Sequence, residues 1–445
     1  MARVLVTAWP LLGHVYPCLA VARELRRRGH EVAFYSGKRV RALLDREGFT
    51  LIPFGSIGEL AYERTFLSPD RANDVRRPFA FMALLQRWLA DSLDAQALDI
   101  DAAIRGWRPD LLVSEEAMWA PSVITQEKHG IPVVVCSVMA GSLLPGRDLP
   151  FPGVGLGRPQ TMAGRAVHVA LRAGADLLAR PMRRQVNDVR RAHGLRPLTT
   201  SIREAVGNVP LYLVRGCPEF DYDRRDLRDS VEYAGPLDAA DDGDPPPEWL
   251  KDLPRDQPLI YVSEGTATLR PLLLKAAVRA LAGLDMHMIV ATGRERDPET
   301  VDLGERPRNL TVKQWVPQRH MFARTAVVVT VGGCGTILGA LSAGVPVLAV
   351  PAEMDQPDNA RRVVDAGAGL AIPRHRCTPA RLRAAVLRLL RDPSYRYRAR
   401  LLAARLAAYG GAARAVDLIE LKVLDGFPGV RHEITPGVDT EKVLW

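Results

Sequence analysis

A glycine-rich stretch follows a predicted strand in the second half of the chain. The apolar run AVVVT at 326–330 leads into VGGCGT at 331–336, and a helical pattern is predicted to begin at Thr336. Glycines let a backbone approach a ligand closely, and a helix N-terminus presents unpaired N–H groups that attract anions. The stretch is therefore typical of a phosphate-binding loop. A tight turn between strand and helix also requires glycine, so the cluster alone leaves both interpretations open.

Two further motifs flank this loop. WVPQ occupies 315–318 upstream, and DQPDNA occupies 355–360 downstream. Together with the loop and the GVP at 344–346, they form a series that resembles the nucleotide-sugar signature of the large UDP-glycosyltransferase family. The resemblance extends over nearly the whole chain and implies the two-domain GT-B fold. It favours the bacterial members that act on macrolides, glycopeptides and other natural products.

The resemblance implies roles for individual residues of a nucleotide-sugar site. Trp315 would stack on the pyrimidine base, with the backbone of Val316 and the side chain of Gln318 beside it. Asp355 and Gln356 would hydrogen-bond hydroxyl groups of the donor sugar. The residues implied at the diphosphate are Thr266, Gly332, Gly333, Cys334, Gly335 and Thr336. Taken singly, Trp315 could equally be a core aromatic residue and Asp355 a helix cap.

His14 is the residue to which the resemblance assigns the proton transfer. It lies in GHVYP at 13–17, directly after the first predicted strand, so it should face the cleft from the carboxyl end of a parallel sheet. In the family motif GHxxP the imidazole is the general base. A group that titrates near neutrality can take a proton from an acceptor hydroxyl. A single His is more often structural, and that alternative stays open.

A carboxylate beside this imidazole would orient the ring and stabilise the imidazolium form. The segment PDLLVSEEAMW at 109–119 places Glu115 at the end of a predicted strand, where many relatives have Asp. Glu115 is therefore the predicted partner of His14. Glu116 follows it directly, and Ser114 offers an alternative register. Two adjacent acids at a strand end could equally be solvated.

Three positions depart from the family pattern. Val331 stands where relatives usually carry a His that contacts the donor phosphate, which removes a charge-assisted hydrogen bond of about 1.5–3 kcal/mol. Glu264 lies in the turn VSEGT, where an apolar residue is common, and its carboxylate could serve the acceptor or repel a diphosphate. Gly339 replaces a ribose-binding Glu, at a position where bacterial relatives vary.

These departures keep two alternative hypotheses open. One is a non-catalytic relative that activates a true glycosyltransferase, and the other is a nucleotide-sugar epimerase or cell-wall glycosyltransferase of the same fold. A base at the strand end, together with Asp355 and Gln356, argues against the activator. The series from WVPQ to DQPDNA fits the epimerase and the cell-wall enzyme less well.

The elements that must position these residues follow a regular pattern. Short apolar strands alternate with helical segments in both halves, which predicts parallel sheets covered by helices on both faces. The predicted fold class is α/β of the GT-B type, with two Rossmann-like domains whose sheets face each other across a cleft. An acceptor pocket is expected from 56–90 and 138–160, which are rich in apolar residues.

The predicted domains meet at an acidic, proline-rich stretch. Residues 237–249 read as a linker, since such a composition packs poorly. Its DGD could be mistaken for a metal-binding carboxylate pair, but three prolines follow it. The acceptor domain would span 1–236 and the nucleotide-sugar domain 250–405. Residues 406–445 would form a C-terminal helix that packs back on the first domain, and a tail.

Composition narrows the class of protein. Among 445 residues the net charge is +9, but only seven of the 60 basic residues are Lys, and the Arg are spread through helical segments. Such rows are typical of solvated helix faces, so no nucleic-acid partner is expected. Five cysteines without a CxxC pair indicate a reducing compartment, so a cytoplasmic location is expected.

A membrane segment is not expected either. The uncharged stretch 326–352 is long enough to cross a bilayer, but five glycines, Pro346 and Pro351 divide it into short runs. The apolar N-terminus reads as a buried first strand rather than a signal peptide.

The sequence therefore predicts an inverting glycosyltransferase that needs no cofactor and no metal ion. The donor would be a UDP- or dTDP-sugar carrying a hexose or deoxyhexose, and the acceptor a hydroxyl of a hydrophobic small molecule. A homodimer is left open. The sugar, the base and the acceptor are not determined by the sequence.

Overall fold

The computed structural model describes most of the chain. The described residues are 1–58, 88–141, 144, 149–222, 224, 226–238, 245–265, 272–294 and 296–426. Thr266, most of the predicted acceptor segment at 56–90, part of the one at 138–160 and the tail from 427 onward therefore lie outside them.

The strands form two parallel sheets, which confirms the predicted α/β class. The first sheet has the order β3-β2-β1-β4-β5-β6-β7, and the second has the order β10-β9-β8-β11-β12-β13. The strands of the first sheet are β1 (Arg3–Thr7), β2 (Glu31–Ser36), β3 (Thr50–Pro53), β4 (Leu111–Glu115), β5 (Val133–Ala140), β6 (Leu211–Arg215) and β7 (Val231–Gly235). Those of the second are β8 (Leu259–Ser263), β9 (His287–Ala291), β10 (Leu310–Lys313), β11 (Thr325–Thr330), β12 (Val347–Ala349) and β13 (Gly369–Ala371).

Helices cover both sheets, as the burial of the central strands on both faces requires. In the first half they are α1 (Leu12–Arg27), α2 (Arg41–Arg46), α3 (Leu93–Trp107), α4 (Gln126–His129), α5 (Met162–Leu178), α6 (Arg180–Ala192), α7 (Ile202–Val206) and α8 (Pro218–Asp221). In the second half they are α9 (Leu272–Leu281), α10 (Gln318–Phe322), α11 (Cys334–Ser342), α12 (Gln356–Asp365), α13 (Pro379–Arg391), α14 (Pro393–Ala408) and α15 (Ala412–Ile419). Short 3-10 turns occupy Lys38–Val40, Glu248–Leu250 and Arg374–Arg376, and π-helical turns occupy Pro121–Thr125 and Glu420–Leu424.

The uncharged stretch 326–352 resolves into β11, α11 and β12. None of the described helices combines the length and the apolar character that a bilayer crossing requires.

Each sheet has one point at which the strand order reverses, and the candidate residues lie there. In the first sheet β1 lies between β2 and β4, and in the second β8 lies between β9 and β11. Open α/β sheets bind ligands outside the carboxyl ends of the strands at such a point. His14 follows β1, Glu115 ends β4, and the glycine loop follows β11. The topology therefore directs the predicted residues toward one cleft.

Contacts between the two halves hold the carboxyl edges of their sheets opposite each other. One apolar core combines Ala140 and Phe220 of the first half with Leu338 of the second. Beside it, a guanidinium nitrogen of Arg362 donates to a carboxylate oxygen of Asp221 at 2.9 Å, and both side chains are buried. This arrangement brings the end of β6 next to the start of α11.

The C-terminal helix α15 packs on the first sheet's domain. Val416 and Ile419 are fully buried in the same core as Leu19 of α1. At the edge of this contact, guanidinium and imidazole groups of Arg28 and His30 meet the carboxylate of Glu420 at 2.7 and 3.1 Å. The chain therefore crosses from the second domain back to the first before residue 426.

Truncating Ile419 tests how much the packing of α15 on the first domain contributes to stability. We expect Ile419→Ala to lower the free energy of unfolding by about 2–5 kcal/mol, because a buried side chain is replaced by a cavity. Leu421→Ala is the matched control, since Leu421 is 67% exposed and should change stability by less than about 0.5 kcal/mol. Chemical denaturation measures both. Equal stability of the two variants would contradict the packing role of α15.

Candidate active site

His14 and Glu115 form a close ion pair at the carboxyl ends of β1 and β4. Nδ1 of His14 lies 3.2 Å from Oε1 of Glu115. The two atoms are not aligned for a good hydrogen bond. Hydrogen bonds between catalytic groups often become aligned only when a substrate binds. Glu115 is fully buried, and its other carboxylate oxygen accepts the backbone N–H of Ala117 at 2.8 Å. The carboxylate is thus fixed, while the imidazole keeps 16% of its side-chain surface exposed.

The pKa of His14 reflects opposing effects. Burial is the largest single effect and lowers it, but the charge of Glu115, its contact with the ring, and the smaller effects of Glu116 and Asp355 together raise the pKa above 6.5. A raised pKa means that the neutral imidazole is a stronger base toward an acceptor hydroxyl. The pair therefore has the electrostatics of a general base with an orienting carboxylate.

Glu116 is buried as well and has different partners. One of its carboxylate oxygens accepts hydrogen bonds from the Ser137 hydroxyl at 3.0 Å and the Val138 N–H at 3.1 Å, and the other accepts the Tyr212 hydroxyl at 2.5 Å. Burial is the main cause that raises the pKa of Glu116 to about 7, although the bond from Tyr212 lowers it. The interpretation of two solvated acids is wrong, because both side chains lie inside the protein.

Ser114 does not act as an alternative partner of His14. Its hydroxyl accepts from Thr7 at 2.9 Å and lies within 3.1 Å of the Glu115 carbonyl. These bonds tie β4 to β1 and help to fix the position of Glu115.

The glycine loop joins β11 to α11 with open backbone donors. Gly332 has a φ of 96°, and a Cβ there would lie 3.2 Å from the carbonyl oxygen of Gln356, so this position requires glycine. The helix begins at Cys334 rather than at the predicted Thr336. No side chain of the described residues caps it, and its first backbone bond runs from Ile337 N–H to the Gly333 carbonyl. The N–H groups of residues 334–336 are therefore free of intrahelical acceptors.

Asp355 precedes α12 and Gln356 begins it, and both lie next to the glycine loop. A carboxylate oxygen of Asp355 accepts from the amide of Asn359 at 2.7 Å, and the same amide donates to the Gly332 carbonyl at 3.0 Å. Burial raises the pKa of Asp355, whereas Asn359 and the charge of His14 act to lower it. Asp355 precedes the helix, but its side chain makes no capping hydrogen bond. Asp355 therefore occupies the N-cap position, as the helix-cap interpretation predicts, but its side chain does not cap the helix.

Gln356 has a structural contact in the absence of a ligand. Its side-chain oxygen accepts the backbone N–H groups of Ala352 and Glu353 at 3.0 and 3.1 Å. The carboxamide NH₂ is thus the part of this side chain that remains to donate to a sugar hydroxyl. The predicted sugar contact of Gln356 stays a prediction.

The WVPQ motif lies next to the loop and supports it. A side-chain N–H of Gln318 donates to the Thr336 hydroxyl at 3.1 Å, and Val316 is buried in the core. Trp315 is half-buried, and the guanidinium carbon of Arg294 lies 3.7 Å from a ring centroid. One face of the indole is thus covered by an exposed cation. Stacking of a base on Trp315 requires the other face or a shift of Arg294.

The three departures from the family pattern have structural explanations. Val331 is buried in the second sheet's core. Glu264 is also buried, and its carboxylate accepts the Leu273 N–H at 2.9 Å, in the first turn of α9. Burial is the main cause that raises the pKa of Glu264 to about 7. A Cβ on Gly339 would lie 3.1 Å from the ring of Phe322, so that ring occupies the space of a side chain.

One residue at the loop escaped the sequence analysis. Arg215 ends β6 in the first domain, and its Nη1 lies 3.6 Å from Sγ of Cys334 in the second. The only local signal is a charged residue at the end of the apolar strand LYLVR. Thr266, in contrast, was predicted at the phosphates and lies outside the described residues. Among the residues that the structure does describe, no group of three His, Cys, Asp or Glu side chains is arranged to hold a metal ion.

Comparison with known proteins identifies relatives of this chain. The model of the C-terminal domain of the Erythromycin biosynthesis protein CIII-like family matches residues 275–420. The 4'-demethylrebeccamycin synthase of Lentzea aerocolonigenes is 31% identical to this chain. The match covers 94% of this chain and 99% of the synthase. The PGL/p-HBAD biosynthesis rhamnosyltransferase of Mycobacterium bovis (strain BCG / Pasteur 1173P2) is also 31% identical, over 88% of this chain and 81% of its own.

A solved structure extends the comparison to the fold. The glycotransferase of kitacinnamycin superposes with a TM-score of 0.74 at 26% identity, over 96% of this chain and 99% of its own. This likeness confirms the GT-B arrangement of the two domains. With a His–Glu pair at one switch point and a glycine loop at the other, the chain belongs to the UDP-glycosyltransferase family, as a glycosyltransferase of the natural-product type.

Proposed function

We propose that this glycosyltransferase moves a hexose or deoxyhexose from a UDP- or dTDP-sugar to a hydroxyl of a hydrophobic small molecule, with inversion at the anomeric carbon. The observation that carries the proposal is the 3.2 Å pair of His14 and Glu115, placed in the cleft that also contains Asp355 and the glycine loop. A related rhamnosyltransferase supports the deoxyhexose. The cytoplasmic location and the homodimer stay predictions.

The proton transfer follows from the orientation of the imidazole. Nδ1 of His14 faces Glu115, so the tautomer with a proton on Nδ1 leaves the Nε2 lone pair for the acceptor hydroxyl. As the hydroxyl oxygen bonds to the anomeric carbon, its proton passes to Nε2 and the bond from that carbon to the diphosphate oxygen breaks. Attack opposite the leaving group inverts the configuration. Glu115 stabilises the imidazolium that forms.

The leaving diphosphate carries the electron pair away and requires positive charge. The N–H groups at the start of α11 and the helix dipole would supply part of it. We propose that these donors replace the divalent cation that other glycosyltransferases use, so no metal ion or cofactor is required.

The acceptor is proposed from the apolar surroundings of His14. Trp9 packs on Trp88 with ring centroids 4.2 Å apart and on Phe54 at 5.5 Å. Trp9 lies between β1 and α1, the helix that carries His14. A hydrophobic aglycone is consistent with such a wall, while its identity stays a prediction.

The proposed function is tested with the purified chain alone. It is incubated with UDP- and dTDP-hexoses and dTDP-deoxyhexoses and with a panel of aromatic and macrolide aglycones, and products are detected by mass. We expect a mass increase of one sugar for at least one pair. Activity that appears only after a second glycosyltransferase is added would instead support the activator hypothesis.

His14→Ala should lower kcat by about a hundredfold to ten-thousandfold, because it removes the general base. The KM for the donor should change little, since His14 does not bind the nucleotide in the proposed mechanism. His375→Ala is the matched control, because His375 is exposed on the second domain. A His14→Ala turnover within a few fold of wild type would show that another group accepts the proton.

The pH dependence of kcat/KM should reveal the same pair. His14 acts as a base only when deprotonated, so the rate should fall as pH decreases through its pKa, which lies above 6.5. Glu115→Gln removes the charge that stabilises the imidazolium, so the inflection should move to lower pH and the plateau rate should drop. Glu31→Gln, with 52% of its side chain exposed, should leave the profile unchanged. A profile that Glu115→Gln does not shift would contradict the pairing.

A further inference from the structure

We propose that Arg215 binds the diphosphate of the donor and stabilises it as the leaving group. The inference rests on the proposed function, because it requires a nucleoside diphosphate sugar as donor. It deepens that function by assigning a side-chain cation of the first domain to a group that the second domain otherwise holds with backbone amides.

The guanidinium lies at the N-terminus of α11. Its Nη1 is 3.6 Å from the Cys334 sulfur, and a Cβ on Gly335 would lie 3.8 and 3.9 Å from its two terminal nitrogens. Arg215 therefore approaches the first turn of the helix from the opposite domain. A cation at this end of a helix faces the positive end of the macrodipole, which is unfavourable unless an anion lies between them.

Arg215 is also incompletely satisfied. It is 3% exposed, its Nε has no hydrogen-bond partner, and the one side-chain hydrogen bond that it makes within the described residues is to a sulfur, a weak acceptor. No carboxylate of the described residues forms an ion pair with it. A buried charge without a counter-ion is destabilising, and a bound phosphate would remove that penalty.

The other buried arginines show that this protein normally pairs such groups. Three further arginines of the described residues are buried, and each has a carboxylate within 3 Å. These pairs are Arg190 with Glu127, Arg224 with Asp226, and Arg362 with Asp221. Arg215 differs from all three, which indicates that its counter-ion is not part of the chain.

Nearby acids do not take that role. Asp355 and Glu116 both act electrostatically on Cys334, beside the guanidinium. The carboxylate of Asp355 is held by Asn359, and that of Glu116 is held by Ser137 and Tyr212. Neither forms an ion pair with Arg215 at 4 Å or less.

The loop has open space beside Gly333. A Cβ on Gly333 would meet no atom within 4 Å. Val331, just before the loop, contributes no donor, so the loop itself brings no side-chain cation to a diphosphate. The planar guanidinium can donate two parallel hydrogen bonds to phosphate oxygens. A phosphate beside Gly333 would thus contact amides of one domain and the guanidinium of the other.

The test compares ligands with and without the diphosphate. Calorimetric titration compares the wild type with Arg215→Gln. The ligands with a diphosphate are dTDP and UDP, and those without one are thymidine and uridine. We expect Arg215→Gln to weaken the preferred nucleoside diphosphate about tenfold to a hundredfold, because a charge-assisted contact is lost. Affinity for the nucleosides should stay unchanged. Arg215→Lys, which keeps the charge but not the planar fork, should fall between.

Two controls separate binding from structure. Arg405→Gln removes an exposed arginine with a side chain 68% accessible and should bind as wild type does. Without ligand, Arg215→Gln should melt at the wild-type temperature or above it, because an uncompensated buried charge is removed. A lower melting temperature, or equal weakening of nucleosides and diphosphates, would mean that Arg215 only supports the domain interface and would overturn the inference.

The outcomes also distinguish this inference from the proposed function. Equal diphosphate affinity in wild type and Arg215→Gln overturns the role of Arg215 and leaves the donor class intact. A wild-type chain that binds neither dTDP nor UDP overturns the proposed donor and this inference together.

Discussion

The N-terminus of α11 sets the constraint on which the rest of the site depends. Its first N–H groups have no intrahelical acceptors, and no side chain of the described residues caps them. Positive φ at Gly332 turns the chain from β11 into this helix, and Asn359 holds the turn through its carbonyl oxygen. Oriented backbone donors of this kind bind an anion without reorganising, which is why the loop needs no charged residue of its own.

Ionisable side chains of both domains are arranged around the same point. The pKa of His14 is raised by three nearby carboxylates, those of Glu115, Glu116 and Asp355. These groups differ in their electrostatic effect. Glu115 raises the pKa of the imidazole, while burial raises the pKa of Glu116 to about 7 and so reduces its charge near neutrality. The negative charge that His14 meets is therefore largely that of one fixed carboxylate. This separation favours a single base with a defined tautomer.

The sequence predicts those parts of the site that depend on local pattern. The glycine loop, His14 and Glu115 all follow apolar strands, and the carboxyl ends of β1 and β4 are neighbours because the strand order reverses there. Arg215 is different, because its role depends on which strand of one domain lies opposite α11 of the other. Gly339 illustrates the same limit, since Phe322 occupies its side-chain space only in the packed structure. Contacts between domains are not encoded in periodicity.

Because Arg215 lies on the first domain, a diphosphate that it binds would affect domain closure. A charged residue at the position of Val331 would bind the diphosphate entirely within the second domain. With Val331 in the core and the guanidinium of Arg215 on β6, a diphosphate bound as proposed would bridge both sheets. Donor binding would then stabilise the closed arrangement that brings Nε2 of His14 to the anomeric carbon. Release of the nucleoside diphosphate would remove the same bridge, so the group that is displaced by the chemistry would also control the opening of the cleft.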